Sequence, residues 1–87
     1  MATIWIPPLL RDLTDGKTRL SVPGATVREV IVELEKQYPG ITLRLCDDGR
    51  IRPGISLVVD SMVSKAGLRH RLSETSEVHF VPALSGG

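Results

Sequence analysis

Thr26-Val-Arg-Glu-Val-Ile-Val-Glu-Leu-Glu-Lys-Gln-Tyr38 is the stretch on which the fold turns. Thr26 followed three residues later by Glu29 reads as a capping box, in which each side chain satisfies an amide that the helix start leaves without a partner. Val27, Val30, Ile31, Leu34 and Tyr38 recur at helical spacing, while Arg28, Glu29, Glu33, Glu35 and Lys36 take the other side. Pro39-Gly40 ends the run. The spacing predicts a helix over 27–37 with one buried stripe, and one stripe needs one apolar surface to cover.

Strands on either side supply that surface. Thr3-Ile-Trp-Ile6 is β-branched and aromatic, and Pro7-Pro8 stop it. Leu9 to Leu13 reads as irregular, and Asp15-Gly16 as a tight turn. Lys17 to Val22 then alternates polar and apolar, as a returning hairpin strand does. Beyond the helix, Ile41 to Cys46 fits one short helical turn closed by Asp47-Asp48-Gly49. Ile55 to Val59 is a compact apolar strand, residues 60–76 read as loops with at most a short edge strand around Leu68 to Leu72, and Glu77 to Val81 is the last strand. The expected fold is therefore α+β: a mixed sheet of four to five strands covered on one face by one main helix. The first, third and last strands lie centrally and the alternating and weak strands at the edges. One domain is expected over 1–87, with a folded body at 1–81 and an extended tail at 82–87.

Composition narrows the function classes. Eighty-seven residues allow one small domain. Eleven Lys and Arg against ten Asp and Glu give a net charge of +1, so no broad basic field exists for a phosphate backbone. Trp5, Tyr38 and Phe80 are too few aromatics for base stacking. A single cysteine excludes an internal disulfide and a cysteine metal cluster. No apolar run approaches the ~18–20 residues that span a bilayer, and the start lacks a signal-peptide pattern. A cytoplasmic protein that binds neither nucleic acid nor membrane is expected, with no metal site.

The chemistry sits at the end, Glu77-Val-His-Phe-Val-Pro-Ala-Leu-Ser-Gly-Gly87. Two glycines leave the final carboxylate uncrowded, and backbone without Cβ atoms can enter a narrow cleft and take unusual dihedrals there. From Pro82 to Gly87 the chain reaches roughly 20 Å at ~3.3–3.6 Å per residue. An α-carboxyl with a reference pKa of ~3.3–3.7 is ionised near neutral pH and can attack activated phosphorus. Attack on the α-phosphate of ATP gives an acyl adenylate, which a sulfur nucleophile converts to a thiocarboxylate. Nothing here matches the GxxxxGK[ST] loop that holds phosphates, so nucleotide binding must come from a partner. The bland alternative is a frayed end or a fusion scar. Leu84-Ser-Gly-Gly87 also matches the start of the transporter ATPase signature LSGGQ, but nothing follows it and no Walker loop precedes it.

That closing run, the opening Ile6-Pro-Pro-Leu-Leu-Arg11 and the element order resemble the ubiquitin-like β-grasp sulfur carriers over essentially the whole chain. The family's usual ending is close to Pro-Ala-Val-Ala-Gly-Gly; Pro82, Ala83, Gly86 and Gly87 match it, and Leu84 and Ser85 differ conservatively. The resemblance implies adenylation of Gly87 by an E1-like enzyme, ATP used in trans, thiocarboxylate formation and sulfur delivery to an acceptor enzyme. Ala83, Leu84, Ser85 and Gly86 would enter the partner's active site, and the chain itself would be a substrate, with no cofactor of its own and no catalytic residue. The opening and the long Leu45 to Pro53 connection look most like the cysteine-biosynthesis carrier, whose acceptor is a cysteine synthase. The small subunit of molybdopterin synthase, acting with its large subunit, and a ubiquitin-like protein modifier are the alternatives.

Strand alternation places a partner-docking face. If Ile4, Ile6, Ile55, Leu57, Val59, Val78 and Phe80 face the helix, then Trp5, Val58, His79 and Val81 form an exposed apolar patch beside the tail's root. The competing reading is a small sheet that simply exposes some apolar surface. His79 has no acid or nucleophile spaced to work with it. Cys46 after an apolar run reads as an inert half-buried thiol rather than a persulfide carrier. Arg50 with Arg52, and Arg69-His70-Arg71, form two small positive clusters whose simplest reading is solvated loop charge. Asp47-Asp48 has too few oxygen ligands nearby for calcium.

Overall fold

A computed structural model describes residues 1–83. In chain order it contains β1 (Ala2–Trp5), a 3₁₀ turn at Pro8–Leu10, β2 (Arg19–Val22), α1 (Val27–Gln37), α2 (Ile41–Leu45), the strands β3 (Cys46–Asp47) and β4 (Arg50–Ile51), β5 (Ile55–Val59), β6 (Met62–Val63), a 3₁₀ turn at Gly67–Arg69 and β7 (Glu77–Pro82). The main sheet has the order β2-β1-β7-β5-β6, with β3 and β4 paired apart from it. β7 runs parallel to β1, pairing Ile4 with Val78 and Trp5 with His79. It runs antiparallel to β5, pairing Val58 with His79 and Leu57 with Phe80.

α1 occupies the predicted span and buries the predicted stripe as far as Leu34, with Val27, Val30 and Leu34 fully enclosed and Ile31 nearly so, while Tyr38, at the cap beyond the helix, is only half-buried. They meet Ile4, Val22, Leu57, Val59, Val78 and Phe80 from the sheet, Ile6 and Leu10 from the stretch after β1, and Ile41 and Leu45 from α2. Full burial of a side chain of this size contributes about 1.5–3 kcal/mol. Gly24 lets β2 turn closely into the helix, because a Cβ there would stand 2.9 Å from Val30 Cγ2 and from its amide nitrogen.

The cap differs in detail from its expected form. Thr26 Oγ1 accepts from the Glu29 amide at 3.3 Å, as a capping box requires, but the Glu29 carboxylate reaches back to the Ala25 amide at 3.2 Å and to the Thr26 hydroxyl at 3.3 Å. The reciprocal bond thus closes one residue earlier along the chain, next to an isolated bridge of Thr26 with Arg71 whose bonds run from the Val27 amide to the His70 carbonyl and from the Leu72 amide to the Ala25 carbonyl.

The edge strand is also displaced from its expected place. It lies at Met62–Val63, antiparallel to β5, whereas Gly67–Arg69 is a 3₁₀ turn. Leu68 and Leu72 still pack against the core, but four residues apart on a loop rather than along a strand. Asp47-Asp48-Gly49-Arg50 closes a hairpin rather than merely ending α2, with Asp48 and Gly49 both at positive φ.

The last strand runs further than Val81. Pro82 pairs with Ile55, and the Ala83 amide donates to the Gly54 carbonyl at 2.9 Å. Proline has no amide to continue the ladder, so the next donor comes from the residue after it.

Two surface ties fix the connections. Arg44 donates to both carboxylate oxygens of Asp12, at 2.8 and 2.9 Å, and to the Leu9 carbonyl at 2.8 Å. Glu35 accepts from the amides of Gly40 at 3.0 Å and Thr42 at 2.8 Å, joining α1 to α2. The Thr42 and Gly40 amides hold the Glu35 carboxyl below its ordinary 4.5, because they bond the charged form. Below that value the unfolded chain takes up the proton first, so the stabilisation is full above about pH 4.5 and fades as pH falls through the folded-state value.

Leu34→Ala should lower unfolding free energy by about 2–5 kcal/mol in denaturant titration, since it empties a fully buried site. Glu35→Gln should lower the melting temperature near neutral pH, and the gap to the parent should narrow as the pH is taken below 4.5.

Candidate functional site

The residues after the sheet's central strand decide the site. β7 is paired on both sides, so its side chains alternate strictly: Val78 and Phe80 go into the core, and Glu77, His79 and Val81 face outward. On the neighbouring strands Trp5 and Val58 flank His79. Trp5, Val58, His79 and Val81 therefore share the sheet face away from α1, as alternation predicts, and each is half-buried.

The face is more polar than an apolar patch. The Trp5 and His79 rings stack with centroids 5.4 Å apart and planes within 5°. The Trp5 indole N–H donates to Glu77 Oε1 at 2.9 Å, and the Arg19 guanidinium carbon lies 5.6 Å from the Trp5 ring centroid. A flat aromatic pair held at its edges by an acid and a base offers apolar area and polar orientation together, a combination favoured at protein interfaces. Beside it runs a groove of about 270 Å³, walled by Trp5, Pro7, Pro8, Arg11, His79, Val81 and Pro82.

That groove joins the opening Ile6–Arg11 segment to the root of the tail, a relation that sequence reading left undrawn. The two segments are far apart in the chain, and only the parallel pairing of β1 with β7 brings them together. Arg11 is the added residue: it is exposed and places a permanent cation on the groove that Val81 and Pro82 also line.

Ala83 is half-buried and held by Gly54. The expected tail residues Leu84, Ser85, Gly86 and Gly87 lie outside the described residues. Four residues beyond Ala83 span at most about 14 Å when extended, rather than the roughly 20 Å expected from Pro82.

The remaining candidates lie elsewhere. Cys46 is half-buried at the end of α2, and burial raises its thiol pKa, with Arg28 and Arg52 opposing the effect. It is thus held away from the reactive thiolate. Among the described residues no group of three or more His, Cys, Asp or Glu side chains is placed to hold a metal ion, and no helix is long and apolar enough to cross a membrane.

The ThiS family matches residues 4–87. The "Sulfur carrier protein CysO" of Mycobacterium tuberculosis is 32% identical over 90 residues, covering 98% of this chain and 97% of the relative. The "Small archaeal modifier protein 3" of Haloferax volcanii is 31% identical over 65 residues, covering 72% of this chain and 71% of its own. Among solved structures, CysO in the Amycolatopsis orientalis BexX/CysO complex superimposes with a TM-score of 0.91 at 29% identity, covering 100% of both chains. These matches carry the fold expectation through: the sheet and helix are those of the ubiquitin-like β-grasp.

The two faces of β7 give a direct test. Val81→Asp should leave the thermal transition cooperative and within a few degrees of the parent. Phe80→Asp, one residue away and buried, should abolish it, because an uncompensated carboxylate would enter the core.

Proposed function

The chain is a ubiquitin-like sulfur carrier of the ThiS family, and from that premise we propose that sulfur travels on the carboxylate of Gly87. The observation that carries this reading is the course of β7: its ladder is tied down through Ala83, and the diglycine follows within four residues. A rigid body ending in a short side-chain-poor segment suits delivery of one carboxylate into a partner's cleft.

An E1-like enzyme binds the ATP that is consumed. The Gly87 carboxylate oxygen bonds to the α-phosphorus and pyrophosphate leaves, which gives an acyl adenylate. A sulfide-level sulfur nucleophile then bonds to the carbonyl carbon and AMP departs, leaving a thiocarboxylate. This chain contributes the carboxylate and the docking face; it acts as a substrate, binds no cofactor of its own and performs no catalysis. The Trp5–His79 stack, Val58 and Val81 contact the partner, and Leu84, Ser85 and Gly86, which follow the sheet-bound Ala83, thread its entrance. The acceptor is a cysteine synthase that uses the thiocarboxylate sulfur, in keeping with the similarity to CysO along almost the whole chain.

A protein-modifier reading is favoured by one observation, the similarity to a small archaeal modifier protein. It shares the adenylation step and differs in the acceptor, a lysine amine in place of sulfur.

Appending one alanine after Gly87 should abolish adenylation, measured as ATP–pyrophosphate exchange with the activating enzyme, while the melting temperature stays unchanged. Exchange that survives the extension would overturn the Gly87 assignment. In cell extracts, a lysine isopeptide carrying the diglycine remnant would identify the modifier activity.

A further inference from the structure

The two positive clusters of the sequence do not stay separate in the fold. Arg50 from the β3–β4 hairpin and Arg69 from the second 3₁₀ turn line one open basin of about 500 Å³, which Arg28 of α1 and Lys65 also line. Of their neighbours in sequence, Arg52 donates to the Leu43 carbonyl at 2.7 and 3.0 Å, and His70 Nδ1 lies 2.7 Å from Ser64 Oγ. Among the described residues the ion pairs are Lys36–Glu33 and Arg44–Asp12, and none of the four basin cations takes part in one or in a side-chain hydrogen bond. Asp48 is the only acid in the lining.

A sphere of that volume is about 10 Å across, close to one Debye length in 0.1 M salt, so an anion near its centre lies within the reach of all four charges. Three are guanidiniums, whose paired donors match the oxygens of a phosphate. No aromatic ring lines the basin, so nothing there would stack on a base. It lies on the α1 side of the sheet and shares no residue with the Trp5–His79 face.

We infer that the basin bounded by Arg28, Arg50, Lys65 and Arg69 binds a small multivalent phosphate anion. A compact ligand suits it better than an acidic protein segment. A diphosphate sets several charges within a few ångströms, whereas carboxylates along a peptide bring one charge each at wider spacing. The site is separate from the tail and owes nothing to the sulfur chemistry.

The test is titration of the full chain with inorganic pyrophosphate, followed by amide NMR shifts at low salt. Saturable shifts are expected at Gly49, Ala66 and Gly67, and about tenfold weaker binding in Arg50→Glu/Arg69→Glu, with Lys36→Glu as a control that keeps parent affinity. Both altered residues are exposed, and a melting curve checks that the double variant is folded. Shifts that never saturate, that spread over Arg11 and Lys36 alike, or that persist in the folded double variant would overturn the inference. So would a Glu-rich peptide that saturates the same amides at lower concentration than pyrophosphate, which would assign the basin to an acidic protein partner.

Discussion

β7 is hydrogen-bonded along both edges, parallel to β1 and antiparallel to β5, and a strand held in this way has its side-chain assignment fixed. A slip of one residue would send Val78 and Phe80 to water and bring Glu77, His79 and Val81 under the helix. The core and the outer face are therefore two readings of one register. The same pairing holds the chain as far as Ala83, so the position of the tail's root is set by the sheet rather than by local loop preference.

The surface is built around this frame with its charges sorted by place. Arg44 and Asp12 tie the first long connection to α2, and Glu35 caps the junction of the two helices with amides it alone satisfies. The Arg44–Asp12 pair is exposed, and such pairs contribute little singly; its bidentate geometry and the extra bond to Leu9 serve mainly to fix the segment that leads through Arg11. On the outer sheet face an acid and a base bracket the aromatic stack. On the helix side Arg28, Arg50, Lys65 and Arg69 gather around one basin with no ion pair among the described residues. A net charge of +1 conceals this separation, because it averages two differently built surfaces.

What was legible in the sequence is what repeats with a period. The helix from Val27 to Gln37 was plain because five apolar residues fell on one stripe behind a capping threonine, and the central strands because Ile55–Val59 is a compact apolar run and Glu77–Phe80 alternates. The order of the sheet followed from which strands were most apolar. The edge strand was misplaced because its turn is made by Asp60 and Ser61, both at positive φ, with no glycine to announce it. That turn is held from afar: the Asp60 amide donates to the Glu77 carbonyl, and Asp60 Oδ1 accepts from the Glu77 amide, each at 2.9 Å. Bonds across that separation leave no local signature. The Trp5, Val58, His79 and Val81 face was readable by alternation, but the groove with Arg11 and the union of Arg50 with Arg69 depend on tertiary placement, which no spacing encodes.

The central claim is that this body exists to present a carboxylate that carries sulfur. Mass spectrometry, intact and after digestion, of the protein purified from its own host without thiol-alkylating reagents tests it most directly. Exchange of one carboxylate oxygen for sulfur adds about 16 Da, and the account predicts a species with that increment confined to the peptide ending at Gly87. An unmodified Gly87 throughout, in cells whose activating enzyme is present and sulfur is supplied, would contradict it.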